Sequence, residues 1–278
     1  MKLDIFNWLV TFFCLLSDCE AAKILAIIPF RVDSHFPIFE NLLKGLVARG
    51  HQVVAVSHYP QKNPIENFTD ISLVGSLPST KDNVSLGSIE AANSGLFISF
   101  FLGFATSACK IVYEHPQVKQ LLERENEFDL VINEIWGNDC FLALTHKFKI
   151  PHIGIITSVA YPWSNDRVAN PDNPSYIPNF FLPYSDRMSF YERLTNLVFT
   201  VGAKYLHYFM SERPTHQIAS QHFSDLPPLS EIARTTSLIF VNSHFSINHP
   251  RPGFIEVAGL HIKDSKPLPQ HTQMFSSL

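Results

Sequence analysis

The sequence predicts an α/β fold, a Rossmann-like parallel sheet with flanking helices, on three observations. Lys23 to Phe30 (KILAIIPF) and Gln52 to Ser57 (QVVAVS) are short, nearly continuous apolar runs, as in strands covered on both faces. Between them Phe39, Leu42, Leu43, Leu46 and Val47 recur at helical spacing. Similar runs return further along and alternate with helical segments, which is the signature of β-α-β units.

In order, Ser34 is placed to cap the first helix and Gly50 to end it. Ile71 to Val74 reads as a third strand. Residues 89–125 read as helical in pieces, broken at Gly95, Gly103 and Pro116. Phe128 to Asn133 (FDLVIN) is a strand, Asp139 to Phe148 a helix, and His152 to Ile156 another strand. A Pro- and Asn-rich stretch from Ser158 to Asp186 follows, and a loop of that length is expected to carry function. A helix from Met188 to Phe209 and strands at Ser237 to Val241 and Phe254 to Val257 complete the pattern.

The first residues read as a secretory signal. Lys2 supplies the positive end, Trp8 to Leu16 an apolar run, and Ala21 and Ala22 a cleavage site before Lys23. The run is shorter than the roughly 20 residues that span a bilayer, and no later run reaches that length uninterrupted. Cleavage would remove Cys14 and Cys19, leaving Cys109 and Cys140 for one disulfide at most. In that compartment the sequons at Asn67 and Asn83 become glycan sites.

The composition of the 278 residues is globular, with 46% hydrophobic, 17% charged and 24 phenylalanines. A net charge of -4 and a pI near 6.3 give no electrostatic reason to expect nucleic acid. There is no Walker loop, and Arg31-Val-Asp-Ser-His35 stands where a dinucleotide fold would carry its glycines. No Gly-x-Ser-x-Gly elbow occurs. His51 and His58 lack partners at metal spacing and are expected to cap or flank a strand, while His115, His146 and His216 are expected at the surface.

Ligands of open parallel sheets bind beyond the carboxyl ends of the strands. Phe30 to His35, Asn133 to Asp139 and the loop after Ile156 all arrive there, which singles out His35, Glu134 and Asp139. His35 lies at a helix start, whose partial positive charge favours the neutral imidazole that a general base needs. A carboxylate bonded to its Nδ1–H would fix the tautomer and stabilise the imidazolium formed on proton abstraction. Glu134 ends a strand. Asp139 is expected to act as an N-cap.

Several blocks, in order, carry a resemblance. Ser34-His-Phe-Pro-Ile-Phe-Glu-Asn-Leu-Leu-Lys-Gly-Leu46 through Arg49-Gly-His-Gln-Val53 is similar to the first helix and second strand of UDP-glycosyltransferases, especially those of insects. Phe68-Thr-Asp-Ile71, Phe128 to Glu134 with Asn138 to Phe141, and Leu238 to Phe245 through Arg251-Pro and Glu256 to Ile262 resemble later blocks of the same family.

The resemblance implies the N-terminal, acceptor-binding half of a two-lobed GT-B enzyme, with a signal peptide at 1–22, the acceptor domain at 23–265 and a linker and divergent tail at 266–278. It implies inverting, metal-independent transfer of glucose or glucuronate to a hydroxyl of a small lipophilic acceptor, with His35 as base. No cofactor is implied. The UDP-sugar is a co-substrate, held mainly by a C-terminal lobe. The family's partner to the histidine is an aspartate, and Glu134 falls there, so the carboxylate stays open between Glu134 and Asp139. The segments from Ser88 to Lys110 and from Ser158 to Asp186 are expected to line the acceptor pocket.

The implied location is the lumen of the endoplasmic reticulum. Relatives continue past Lys266-Pro-Leu-Pro269 into the donor lobe, a membrane span and a cytosolic tail. This sequence ends at Leu278, which implies a fragment, a splice form or an incomplete gene product, inactive in transfer alone. A second reading is a binding module that sequesters lipophilic ligands or pairs with like or unlike copies.

Overall fold

The computed structural model describes residues 20–77, 95–124, 127–246 and 248–263. The signal segment, Asn83 and the 266–278 tail lie outside them. Among the described residues seven strands form one sheet: β1 (Lys23–Ile28), β2 (Gln52–Ser57), β3 (Phe68–Ser72), β4 (Leu130–Glu134), β5 (His152–Ile156), β6 (Leu238–Val241) and β7 (Ile255–Glu256). Their order is β3-β2-β1-β4-β5-β6-β7 and every pairing is parallel. The chain builds outward from β1 in one direction and then from β4 in the other. The reversal opens a crevice beyond the carboxyl ends of β1 and β4, where such sheets place their ligands.

Strand alternation sorts the core. Ile24, Ala26 and Ile28 point to one face, against Phe36, Ile38, Phe39 and Leu43 of α1 (Phe36–Val47). Leu25 and Ile27 point to the other, where α2 (Gly95–Glu114), α3 (Pro116–Leu122), α4 (Ala143–Phe148), α5 (Phe190–His207), α6 (Arg213–Ala219) and α7 (Leu229–Ala233) gather. The helices thus cover both faces, which is why the strands read as unbroken apolar runs.

Several expectations shift for local reasons. The N-cap of α1 is His35 and not Ser34, because a turn closed by His35 N–H on Val32 O (3.1 Å) delays the helix by a residue. Gly50, at φ +92°, does follow the helix end. β3 starts before Ile71, because Asn67, at φ +61°, turns the chain so that its carbonyl accepts from Val53 N–H at 2.8 Å. Gly103 does not break α2: it faces open space and the helix runs through it. The break comes at His115, extended at ψ 130° ahead of Pro116.

Asp139 does not act as a cap. Asn138 Oδ1 accepts the Cys140 N–H at 3.2 Å instead, and a 3-10 turn over Cys140–Leu142 leads into α4. The long loop contains a 3-10 turn over Pro162–Arg167. α5 begins on a capping box of Ser189 and Glu192, ends at His207 and passes through a π-turn over Tyr208–Glu212 into α6. His51 behaves as expected, its Nδ1 accepting Ala22 N–H at 3.1 Å. Burial pushes His152 and His207 down to about 4, so both sit neutral in the interior.

Cys109 on α2 and Cys140 form a disulfide across 31 residues, with Cα atoms 5.9 Å apart, tying the helix layer to the segment after β4. Closing a loop of that length stabilises the fold by about 3–4 kcal/mol in the chain-entropy description. Replacing both cysteines by alanine is expected to lower the urea midpoint by a corresponding amount. An unchanged midpoint would mean that the bridge constrains nothing the core does not already hold.

Candidate functional site

The switch point between β1 and β4 brings two of the three predicted residues together. The turn after β1 delivers His35 to the start of α1, where Pro37 in the first helical turn sets the backbone for helix entry. β4 delivers Glu134 at its last position. His35 Nδ1 lies 2.5 Å from Glu134 Oε1. A carboxylate can only accept, so in the neutral ring the proton sits on Nδ1 and the lone pair on Nε2.

The pair is set in an apolar, largely closed place. The Glu134 side chain is fully buried and that of His35 is 16% exposed. Thr157, just past the end of β5, donates its hydroxyl to the same Oε1 at 3.2 Å. Asn242 Nδ2 holds the Thr157 carbonyl at 3.0 Å. Glu134 Oε2 is buried and receives no hydrogen bond among the described residues. A carboxylate so short of donors gains most from a positive charge forming on its imidazole neighbour.

Aromatic rings wall the site. Trp136 meets the edge of His35 at 5.8 Å between centroids and packs on Phe30 at 4.4 Å and Phe101 at 4.3 Å. Trp163 Nε1 donates to the Trp136 carbonyl at 2.9 Å, and Trp163 stacks on Tyr161 at 5.2 Å, which extends the wall into the long loop. A separate cavity of about 170 Å³ opens beyond β6, lined from the loop by Ala160, Phe180 and Tyr184 and from the chain after β6 by His249, Arg251 and Phe254. Of the expected pocket segments, 158–186 lines this cavity; of 88–110, residues 88–94 lie outside the described residues, and the rest does not line it but sends Phe101 against Trp136.

Asp139 is elsewhere. Its carboxylate forms a buried ion pair with Arg167 and lines a different cavity with His207 and Glu212, beneath α5. Asn67 is exposed on the turn before β3, open to modification. Thr157 and Trp136 were missed in the sequence reading. The strand-end rule that singled out Glu134 would have found Thr157, because it follows HIGII directly.

The family model described as UDP-glucuronosyl and UDP-glucosyl transferase matches residues 22–277. The chain belongs to that family. UDP-glucosyltransferase 2 of Dactylopius coccus is 32% identical over 274 residues, covering 96% of this chain and 53% of that protein. The 2-hydroxyacylsphingosine 1-beta-galactosyltransferase of Mus musculus is 26% identical, covering 93% and 49%. Among solved structures, UGT89C1 of Arabidopsis thaliana matches with a TM-score of 0.42 at 12% identity, over 93% of this chain and 55% of that one. This UDP-glycosyltransferase chain therefore spans about half the length of the curated relatives it matches.

Proposed function

We propose that this chain supplies the acceptor-binding lobe and the general base for transfer of a hexosyl group from a UDP-sugar to a hydroxyl of a small lipophilic acceptor. The observation that carries the reading is the His35–Glu134 pair at the topological switch point, walled by Trp136, Phe30 and Phe101. An aromatic wall holds an apolar acceptor by burial, leaving its hydroxyl as the group to be placed at His35 Nε2.

In the proposed step Nε2 takes the hydroxyl proton as the acceptor oxygen attacks the anomeric carbon. The bond to UDP breaks on the opposite side, and the configuration inverts without a metal. Glu134 holds Nδ1–H and stabilises the imidazolium. Thr157 fixes the carboxylate oxygen that does this. The UDP-sugar is bound by a second lobe, supplied by sequence of the kind that makes up the rest of the relatives. The Cys109–Cys140 bridge and exposed Asn67 suit a secretory compartment.

The test joins these residues to the C-terminal half of the 32%-identical UDP-glucosyltransferase and assays UDP release with a panel of apolar phenols and alcohols. The expected result is acceptor-dependent turnover by the fusion and none by the 278-residue chain alone. Turnover by the chain alone would refute the division of labour. A folded fusion that leaves every hydroxylated acceptor untouched would refute the acceptor class.

A further inference from the structure

The His35–Glu134 pair needs an anchor outside itself. Among the described residues two hydrogen bonds reach the buried carboxylate, and both fall on Oε1: one from His35 Nδ1 at 2.5 Å and one from Thr157 Oγ1 at 3.2 Å. Oε2 receives none. The first bond joins Glu134 to the very ring it has to orient, so it fixes neither group against the sheet. The Thr157 hydroxyl does that.

Thr157 stands one residue past β5, where the chain turns away into the long loop. The backbone ladder between β5 and β6 reaches Asn242, whose N–H donates to Ile156 O at 2.9 Å. The Asn242 side chain then adds one further rung, Nδ2 donating to the Thr157 carbonyl at 3.0 Å. Without that rung the peptide after Thr157 is free to rotate, and Thr157 follows the loop rather than the sheet.

The strands involved are neighbours, in the order β1-β4-β5-β6. One side chain beyond each carboxyl end therefore makes a continuous line: His35, Glu134, Thr157, Asn242. The two outer members are uncharged. They place the carboxylate without neutralising it, whereas Arg167 takes the charge of Asp139. A carboxylate that has to stabilise an imidazolium is better held by amide and hydroxyl than by a cation.

Resting on the reading of His35 as the base, we propose that Asn242 is a positioning residue for the transfer. Acting through Thr157, it sets the Glu134 oxygen that orients the imidazole.

The first test needs no turnover and uses the 278-residue chain. With the histidines labelled with nitrogen-15, the Nδ1–H held by Glu134 is expected as a downfield imidazole proton resonance, assigned by its absence from His35→Ala. Asn242→Ala is expected to shift it upfield and broaden it by exchange with water, with unchanged circular dichroism. A resonance identical to that of the wild type would overturn the role.

The second test is kinetic, in the fusion with the relative's C-terminal half. Asn242→Ala is expected to lower kcat for an aliphatic alcohol about tenfold, less than the roughly 10²-fold that a 1 Å misplacement can cost, with KM for the acceptor unchanged. The loss should be much smaller with an ionised nitrophenol, which needs no base. Added to Thr157→Val, Asn242→Ala should cost nothing further within about threefold. Equal losses on both acceptors, or losses that multiply with Thr157→Val, would overturn the proposal. Should Asn242→Ala not fold, Asn242→Gln displaces the amide by one methylene and is read in the same way. Full activity in a folded Asn242 variant, with His35→Ala slow, would overturn the positioning role alone. Full activity in His35→Ala would overturn the base assignment, and the role with it.

Discussion

His35→Ala in a turnover-competent fusion is expected to lower kcat about 10²–10⁴-fold, the usual contribution of a positioned general base. The loss should depend on the acceptor. An aliphatic alcohol holds its proton tightly and needs Nε2 throughout, whereas an acidic nitrophenol is already largely ionised near neutral pH and needs it little. KM for the acceptor should change less than kcat, because Trp136 and Phe101 supply the apolar contact and remain in place. An equal loss for both acceptor types would mean that His35 binds substrate without moving a proton.

The second large effect belongs to Glu134. Glu134→Ala removes the acceptor for Nδ1–H, frees the ring to rotate and to change tautomer, and leaves Thr157 without its partner. A drop in kcat of about 10²-fold or more is expected, following the general role of a carboxylate that orients a catalytic histidine. Glu134→Asp shortens the side chain by one methylene and is expected to fall between wild type and alanine, since Oε1 reaches His35 at 2.5 Å only with the full length.

Asp139→Ala makes the contrast. It strands a buried guanidinium on Arg167, so it should destabilise the fold by about 3–5 kcal/mol. The fraction that remains folded should turn over at close to the normal rate. A selective loss of kcat in a fully folded Asp139 variant would move the catalytic carboxylate there.

Much of the fold was legible because both faces of the sheet are covered, so the strands announce themselves as apolar runs. His152 to Ile156 was placed to the residue, and the His35 turn and the Glu134 strand end followed from the same pattern. What was not legible depended on tertiary partners. The cap expected at Asp139 passes to Asn138 because Arg167, a residue 28 positions away, takes the Asp139 carboxylate. Gly103 looked like a breaker only because sequence does not show that its side of α2 is open. α5 was recognised as a helix, but its faces could not be assigned, since the apolar stripe that normally marks the core here points outward.

One proposition underlies the rest: imidazole and carboxylate act as a single proton-handling unit. A double-mutant cycle in the fusion, comparing His35→Ala, Glu134→Ala and both together, measures that coupling. Once the ring is gone its carboxylate has nothing left to orient, so the double variant should be no slower than His35→Ala alone within about threefold. Losses that multiply would show two groups working independently and would contradict the assignment.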